Sequence, residues 1–125
     1  MANSVPANAG GSQSKYVTLD TTATDIVLGA GQGSSICSAI LQVSGATAGG
    51  NSFIPQARLV GASGLSIGFV SVAYENLTTG AEVAVGTAIT TDGLYAVRLD
   101  HGMELAIDYT QVGGSTTVLY SLGVG

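Results

Sequence analysis

Apolar and polar side chains alternate with a period of two over residues 94–122, the pattern of strands that bury one face and wet the other. Tyr95, Val97 and Leu99 fall on one side, with Ala96, Arg98 and Asp100 on the other. Leu105, Ile107 and Tyr109 repeat the arrangement against Glu104, Ala106 and Asp108, and Val118, Tyr120 and Leu122 form a third inward set. Asp100-His101-Gly102 and Val112-Gly113-Gly114-Ser115 between them carry turn residues. The pattern therefore predicts two hairpins and a meander of three consecutive strands.

From Lys15 onward, short runs of Val, Ile, Leu, Tyr and Thr are punctuated by Gly, Asn, Asp and Ser. They predict an antiparallel all-β domain of roughly eight or nine strands. The candidates lie near 15–20, 25–29, 36–43, 53–60, 66–75, 82–89, 94–100, 103–110 and 116–122. Cys37, Ala39, Leu41 and Val43 form an inward row, yet Ile36 and Ile40 are apolar on the opposite face. In 66–75, Ile67 and Phe69 oppose Val70, Val72 and Tyr74 in the same way. A strand apolar on both faces is covered on both, so part of the outer surface is expected to contact another chain. Pro55 is expected to put its strand at a sheet edge or a bulge. Residues 44–52 read as a polar low-complexity loop, and no segment shows a convincing helical stripe, a single turn within 76–81 being the one helical alternative.

Composition agrees with this class. Gly, Ala, Ser and Thr make up 61 of 125 residues, a mixture that favours strands and turns over a helical bundle. Charged residues are 9% of the chain, against about 25% in an ordinary soluble domain. On the ~6,000 Å² exposed by a globule of this mass, whole faces must then be uncharged. With a net charge of -5 and only Lys15, Arg58 and Arg98 positive, direct nucleic-acid binding is not expected, since that affinity rests on clustered cations. Cys37 is the only cysteine, which excludes an intrachain disulfide and a cysteine zinc cluster. Residues 1–14 carry no charge and no apolar stretch, so they are expected to form an extended arm, not a secretory signal, ahead of a single domain at 15–125. Fourteen extended residues reach about 46–50 Å. No apolar run is long enough to cross a bilayer despite a mean hydropathy of +0.45, so no membrane partner is expected.

No motif for catalysis, cofactor or metal survives inspection. Gly29-Ala30-Gly31-Gln32-Gly33-Ser34-Ser35 is glycine-rich like a phosphate loop, but no Lys follows it and the next residues read as a strand. His101 follows Asp100 directly, and neighbours on a strand end point to opposite faces, which suits a turn and not a catalytic triad. Glu104 and Asp108 share a strand face about 13 Å apart, beyond the ~5–9.5 Å that paired catalytic carboxylates need. Asp100 with Glu104 and Asp108 with Glu82 are the cross-strand alternatives, and Asp20 with Asp25 or Asp92 is the candidate calcium set, without DxDxDG spacing. Asn76-Leu77-Thr78 matches a glycosylation sequon. Arg58 and Arg98, rare cations on a nearly uncharged surface, are candidates either for carboxylates of a neighbouring subunit or for local pairs within the sheet.

Thr91-Asp92-Gly93-Leu94-Tyr95-Ala96-Val97, Gly102-Met103-Glu104-Leu105 and Gly113-Gly114-Ser115-Thr116-Thr117-Val118, followed by a glycine-rich end, give the last third of the chain a texture. It resembles that of small β-sandwich virion proteins of tailed bacteriophages. The resemblance implies a head decoration or cement protein: a jelly-roll-like antiparallel sandwich, homo-oligomeric and trimeric, made in the host cytoplasm and bound to the major capsid protein on the outer head surface. The implied role is non-enzymatic and structural, with capsomers clamped through loops and an extended arm. The candidate partner contacts are Ala2, Asn3, Ser4, Val5, Pro6, Ala7 and Asn8 of the arm, with Arg58 and Arg98. The alternative is a carbohydrate- or receptor-binding sandwich of a tail fibre or adhesin, in which exposed Tyr16, Tyr74 or Tyr120 would stack on sugar rings. A small hydrolase ranks third, lacking any nucleophile and base at a working spacing.

Overall fold

Strands form where β-branched and aromatic residues can pack one pleat face against a partner layer. The computed structural model describes residues 14–30, 37–59, 67–99 and 102–122 and is nearly all antiparallel β. Its elements are β1 (Ser14–Leu19), β2 (Ala23–Ala30), β3 (Cys37–Ser44), α1 (Ala46–Gly49), β4 (Ser52–Leu59), β5 (Val70–Ser71), β6 (Tyr74–Asn76), β7 (Ala81–Val83), β8 (Gly93–Leu99), β9 (Met103–Thr110) and β10 (Thr116–Ser121). They make a six-stranded sheet in the order β1-β10-β3-β8-β6-β7 and a four-stranded sheet in the order β2-β9-β4-β5. Ser14 already belongs to β1, and the rest of the expected arm lies outside the described residues.

The two sheets bury their inner faces on one another. Val17, Leu19, Leu41, Val97, Val118 and Tyr120 from the larger sheet join Phe53, Leu105, Ile107 and Tyr109 from the smaller in one hydrophobic cluster. Two tyrosines also bond across the layers. The Tyr120 hydroxyl donates to the carbonyl of Leu28, and the Tyr109 hydroxyl lies within bonding distance of Leu19 O and Thr116 Oγ1 opposite and of Gln111 Oε1. A phenol that reaches a carbonyl at the far side of a core satisfies both polar groups while its ring fills volume.

The meander predicted for the last third does not form. β8 and β10 lie in the six-stranded sheet and β9 lies in the other, where it pairs with β2 and β4. The inward rows of these three strands do face the core, since Tyr95, Val97, Leu99, Leu105, Ile107, Tyr109, Val118, Tyr120 and Leu122 are all buried. The β9 row buries across the core from those of β8 and β10, which flank β3 in one sheet, and alternation alone does not distinguish this from three strands side by side.

Other expectations change for local reasons. The strand expected at 66–75 is two short pieces, β5 and β6, and the one at 82–89 is β7 followed by an isolated bridge between Phe53 and Ile89. Pro55 sits inside the four-stranded sheet, because β4 pairs with β9 on one side and β5 on the other. Its carbonyl accepts from Val72 N on the β5 side, so its missing N–H faces that side too, where β5 supplies only two residues. The β4–β9 ladder loses nothing.

The loop at 44–52 contains a helical turn, α1, capped from a distance. Asp92 Oδ1 accepts from the backbone N–H of Ala46 and Thr47, and Thr47 Oγ1 accepts from Asp92 N. Beside it, the buried Asn51 binds the β9–β10 connection: Nδ2 donates to Gly113 O and Thr116 Oγ1, while Oδ1 accepts from Val112 N and Gly113 N. The backbones approach so closely that a Cβ on Gly49 would collide with the Gly113 carbonyl.

Candidate functional site

The pairing registers place Tyr16, Leu119, Gln42 and Leu94 in one row across β1, β10, β3 and β8. All four point away from the core, and Tyr16, Leu119 and Leu94 are 48%, 43% and 40% exposed. On one side the row is flanked by Thr18, Thr117 and Ser44, and on the other by Ser121, Ile40 and Ala96. This zone contains no charge. At about 4.8 Å per strand and 3.4 Å per residue it covers roughly 320 Å², half of its residues being polar but uncharged.

Charge reappears beyond it. Glu75 and Glu82 stand directly opposite one another on β6 and β7. With Ser38, Ala96 and Arg98 they line a cleft of about 470 Å³ whose wall also includes Tyr74 and Val83. Burial, with Tyr95 edge-on at 5.8 Å, pushes the Tyr74 hydroxyl above its ordinary value, and that hydroxyl donates to Thr87 O. Like charges opposite one another weaken a strand pair, and neither glutamate has an ion pair among the described residues. Glu82 is exposed and Glu75 half-buried.

The residues singled out from sequence are dispersed. Arg58 lies on the outer face of the four-stranded sheet, where Nε donates to Glu104 at 2.8 Å, Nη1 donates to Ile67 O, and the guanidinium lies 4.1 Å over the Phe69 ring. The local pair is thus the one of the two arrangements that is present for Arg58. Arg98 borders the cleft on the other sheet. Ala2, Asn3, Ser4, Val5, Pro6, Ala7 and Asn8, together with Asp100, His101 and the glycine-rich residues 31–35, lie outside the described residues. Asp92 is spent on capping α1, and Asp108 and Glu82 fall in different sheets, so that carboxylate pair does not form. Asn76 Oδ1 accepts from Thr78 N and Thr79 N, closing a turn over its own sequon. Of the tyrosines proposed to stack on sugars, Tyr74 and Tyr120 are buried and only Tyr16 is exposed.

Among the described residues, no three or more His, Cys, Asp or Glu side chains gather as a metal site, and no helix is long and apolar enough to cross a membrane. Leu119, Gln42, Leu94 and the Glu75–Glu82 pair escaped the sequence reading. Each is an ordinary outward residue of its own strand, and only the register brings them together. No protein-family model, curated protein or solved structure matches the chain.

Proposed function

We propose that this chain is a non-enzymatic structural protein of a tailed-phage virion, a decoration or cement protein that lies on the outer head surface and stabilises contacts between capsomers. The observation that carries the reading is the uncharged zone on the outer face of the six-stranded sheet across β1, β10, β3 and β8, with Tyr16, Leu119 and Leu94 exposed in a single row. Such a face gains by excluding water against another protein and offers nothing to phosphate. The jelly-roll description belongs to the same proposal: six of the nine steps from strand to strand pass between sheets. The partners are the major capsid protein and copies of the chain itself, with residues 1–14 and Arg98 as further contacts. A protein that binds assembled capsomers and not free ones stabilises the shell by mass action, and many weak contacts on one lattice add avidity.

The test is co-sedimentation with empty heads of a tailed phage. The protein should pellet with the heads, and the double variant Leu119→Ser, Leu94→Ser should stay in the supernatant with its melting curve preserved. A protein that ignores heads and binds on a glycan array overturns the reading in favour of a carbohydrate-binding module, for which exposed Tyr16 is the one supporting observation.

A further inference from the structure

The four sheet edges are unequal. β5 and β7 are edge strands of two and three residues, too short to template another strand. β2 is long, but its register shifts twice, between Ala23 and Ile26 and between Val27 and Gly29, and Asp25 adopts a left-handed φ of 55°. An edge is usually kept from pairing by charged side chains such as Lys, of which β1 has one at Lys15, and by short strands or bulges. β1 is neither short nor bulged. Its six residues pair with β10 in unbroken register from Ser14↔Ser121 to Leu19↔Thr116, and Lys15, near one end, is its only charge. On its other side no described strand pairs with it, which leaves a regular line of backbone donors and acceptors.

The exposed row ends on this strand. Tyr16, the most exposed of its three large hydrophobic members, is its last residue, so the uncharged row runs off the sheet at β1 instead of stopping within it. At roughly 320 Å² the uncharged zone of one copy is also less than half of the ~800 Å² that one side of a stable interface presents. A second copy set against β1 changes both facts.

We infer that two copies of this chain join antiparallel along β1, which turns two six-stranded sheets into one of twelve strands with a two-fold axis at its centre. Residues opposite one another across an antiparallel pair share a face, so Tyr16 and Thr18 must meet outward residues and Val17 an inward one. This restricts the axis to a single residue of β1, with Tyr16 facing Tyr16 or Val17 facing Val17 of the second copy. In either case Lys15 meets an uncharged residue. The two uncharged rows then abut to form a band about 34 Å long across eight strands. The uncharged zone doubles and the one edge with a long unbroken register disappears. The dimer extends the docking surface proposed above but stands without it, because its test uses no heads.

The experiment is light scattering on the full chain across a concentration series, with backbone hydrogen exchange on the same samples. A mass of twice 12.3 kDa is expected. The amides of Ser14–Leu19 that point away from β10 should slow roughly tenfold or more as the dimer fills. Tyr16→Lys with Thr18→Lys, which puts facing charges at the junction, should return the mass to that of one chain. A monomer at every concentration, a trimer, or a dimer whose β1 amides exchange as fast as in dilute protein would each overturn the inference. Exchange on the unaltered protein decides the matter even if the double lysine variant fails to fold. Dimers that ignore heads would leave this pairing intact and remove only the virion reading.

Discussion

Tyr120, on the six-stranded sheet, donates its hydroxyl proton to the carbonyl of Leu28, on the four-stranded sheet, at 3.1 Å through the buried interior. Tyr120→Phe keeps the ring and orphans that carbonyl, so it should destabilise the protein by about 1–3 kcal/mol, the usual effect of leaving a buried acceptor unpaired. Urea denaturation would give the difference, with an unchanged slope showing that the native fold persists.

High pH should loosen the same layer contacts. Burial raises the hydroxyls of Tyr74, Tyr109 and Tyr120 above the ordinary value of 10.0. The native state therefore holds these protons more tightly than the unfolded chain. Their stabilisation is complete below pH of about 10 and is lost as pH rises past it. Urea midpoints measured from pH 8 upward, beside tyrosinate absorbance, should fall where absorbance begins to rise in the unfolded protein. A midpoint that stays level through full ionisation would contradict this.

Asn51 uses both ends of its amide on the β9–β10 connection. Asn51→Ala should cost about 2–4 kcal/mol, because three partly buried backbone groups and the buried Thr116 hydroxyl lose this partner at once. Asn51→Asp should do at least as much damage at neutral pH, since a carboxylate oxygen would face the Gly113 carbonyl in place of a donor. Thermal melts of both variants would rank them.

Removing Arg58 should affect folding and leave assembly unchanged. Its ion pair with Glu104 is partly exposed and its guanidinium covers Phe69. Arg58→Ala is expected to lower stability by about 1 kcal/mol, with the ion-pair part shrinking in high salt. Light scattering that shows altered assembly with normal folding would point to a contact with a neighbouring subunit instead.

Glu82→Lys should stabilise. It replaces a like-charge pair with Glu75 by an opposite-charge pair across β6 and β7, a gain of about 0.5 kcal/mol. The gain should fade as salt rises, and a destabilised variant would mean that Glu82 makes a favourable contact.

Alternation and punctuation alone determined the antiparallel β class and the buried face of β3, β8, β9 and β10. The inward sets read from Ala39 to Leu122 are the ones that line the core, because a strand that buries one face must write that face into every second residue. Composition alone implied an uncharged face, since so few charges cannot cover the surface. Tertiary structure decided which strands are neighbours. Leu99 and Leu105 both carry an inward signal, and nothing local says whether their strands lie side by side or face each other across the core. It also decided the surface: Tyr16, Leu119, Gln42 and Leu94 lie in four separate parts of the chain and become a row only through the registers of β1, β10, β3 and β8. Asn51 looked like a polar loop residue because its partners are some sixty residues away, in contacts made only once both sheets are in place. Alternation is a property of one strand and its neighbours in sequence, whereas pairing and docking depend on distant segments, and those meet only in the folded chain.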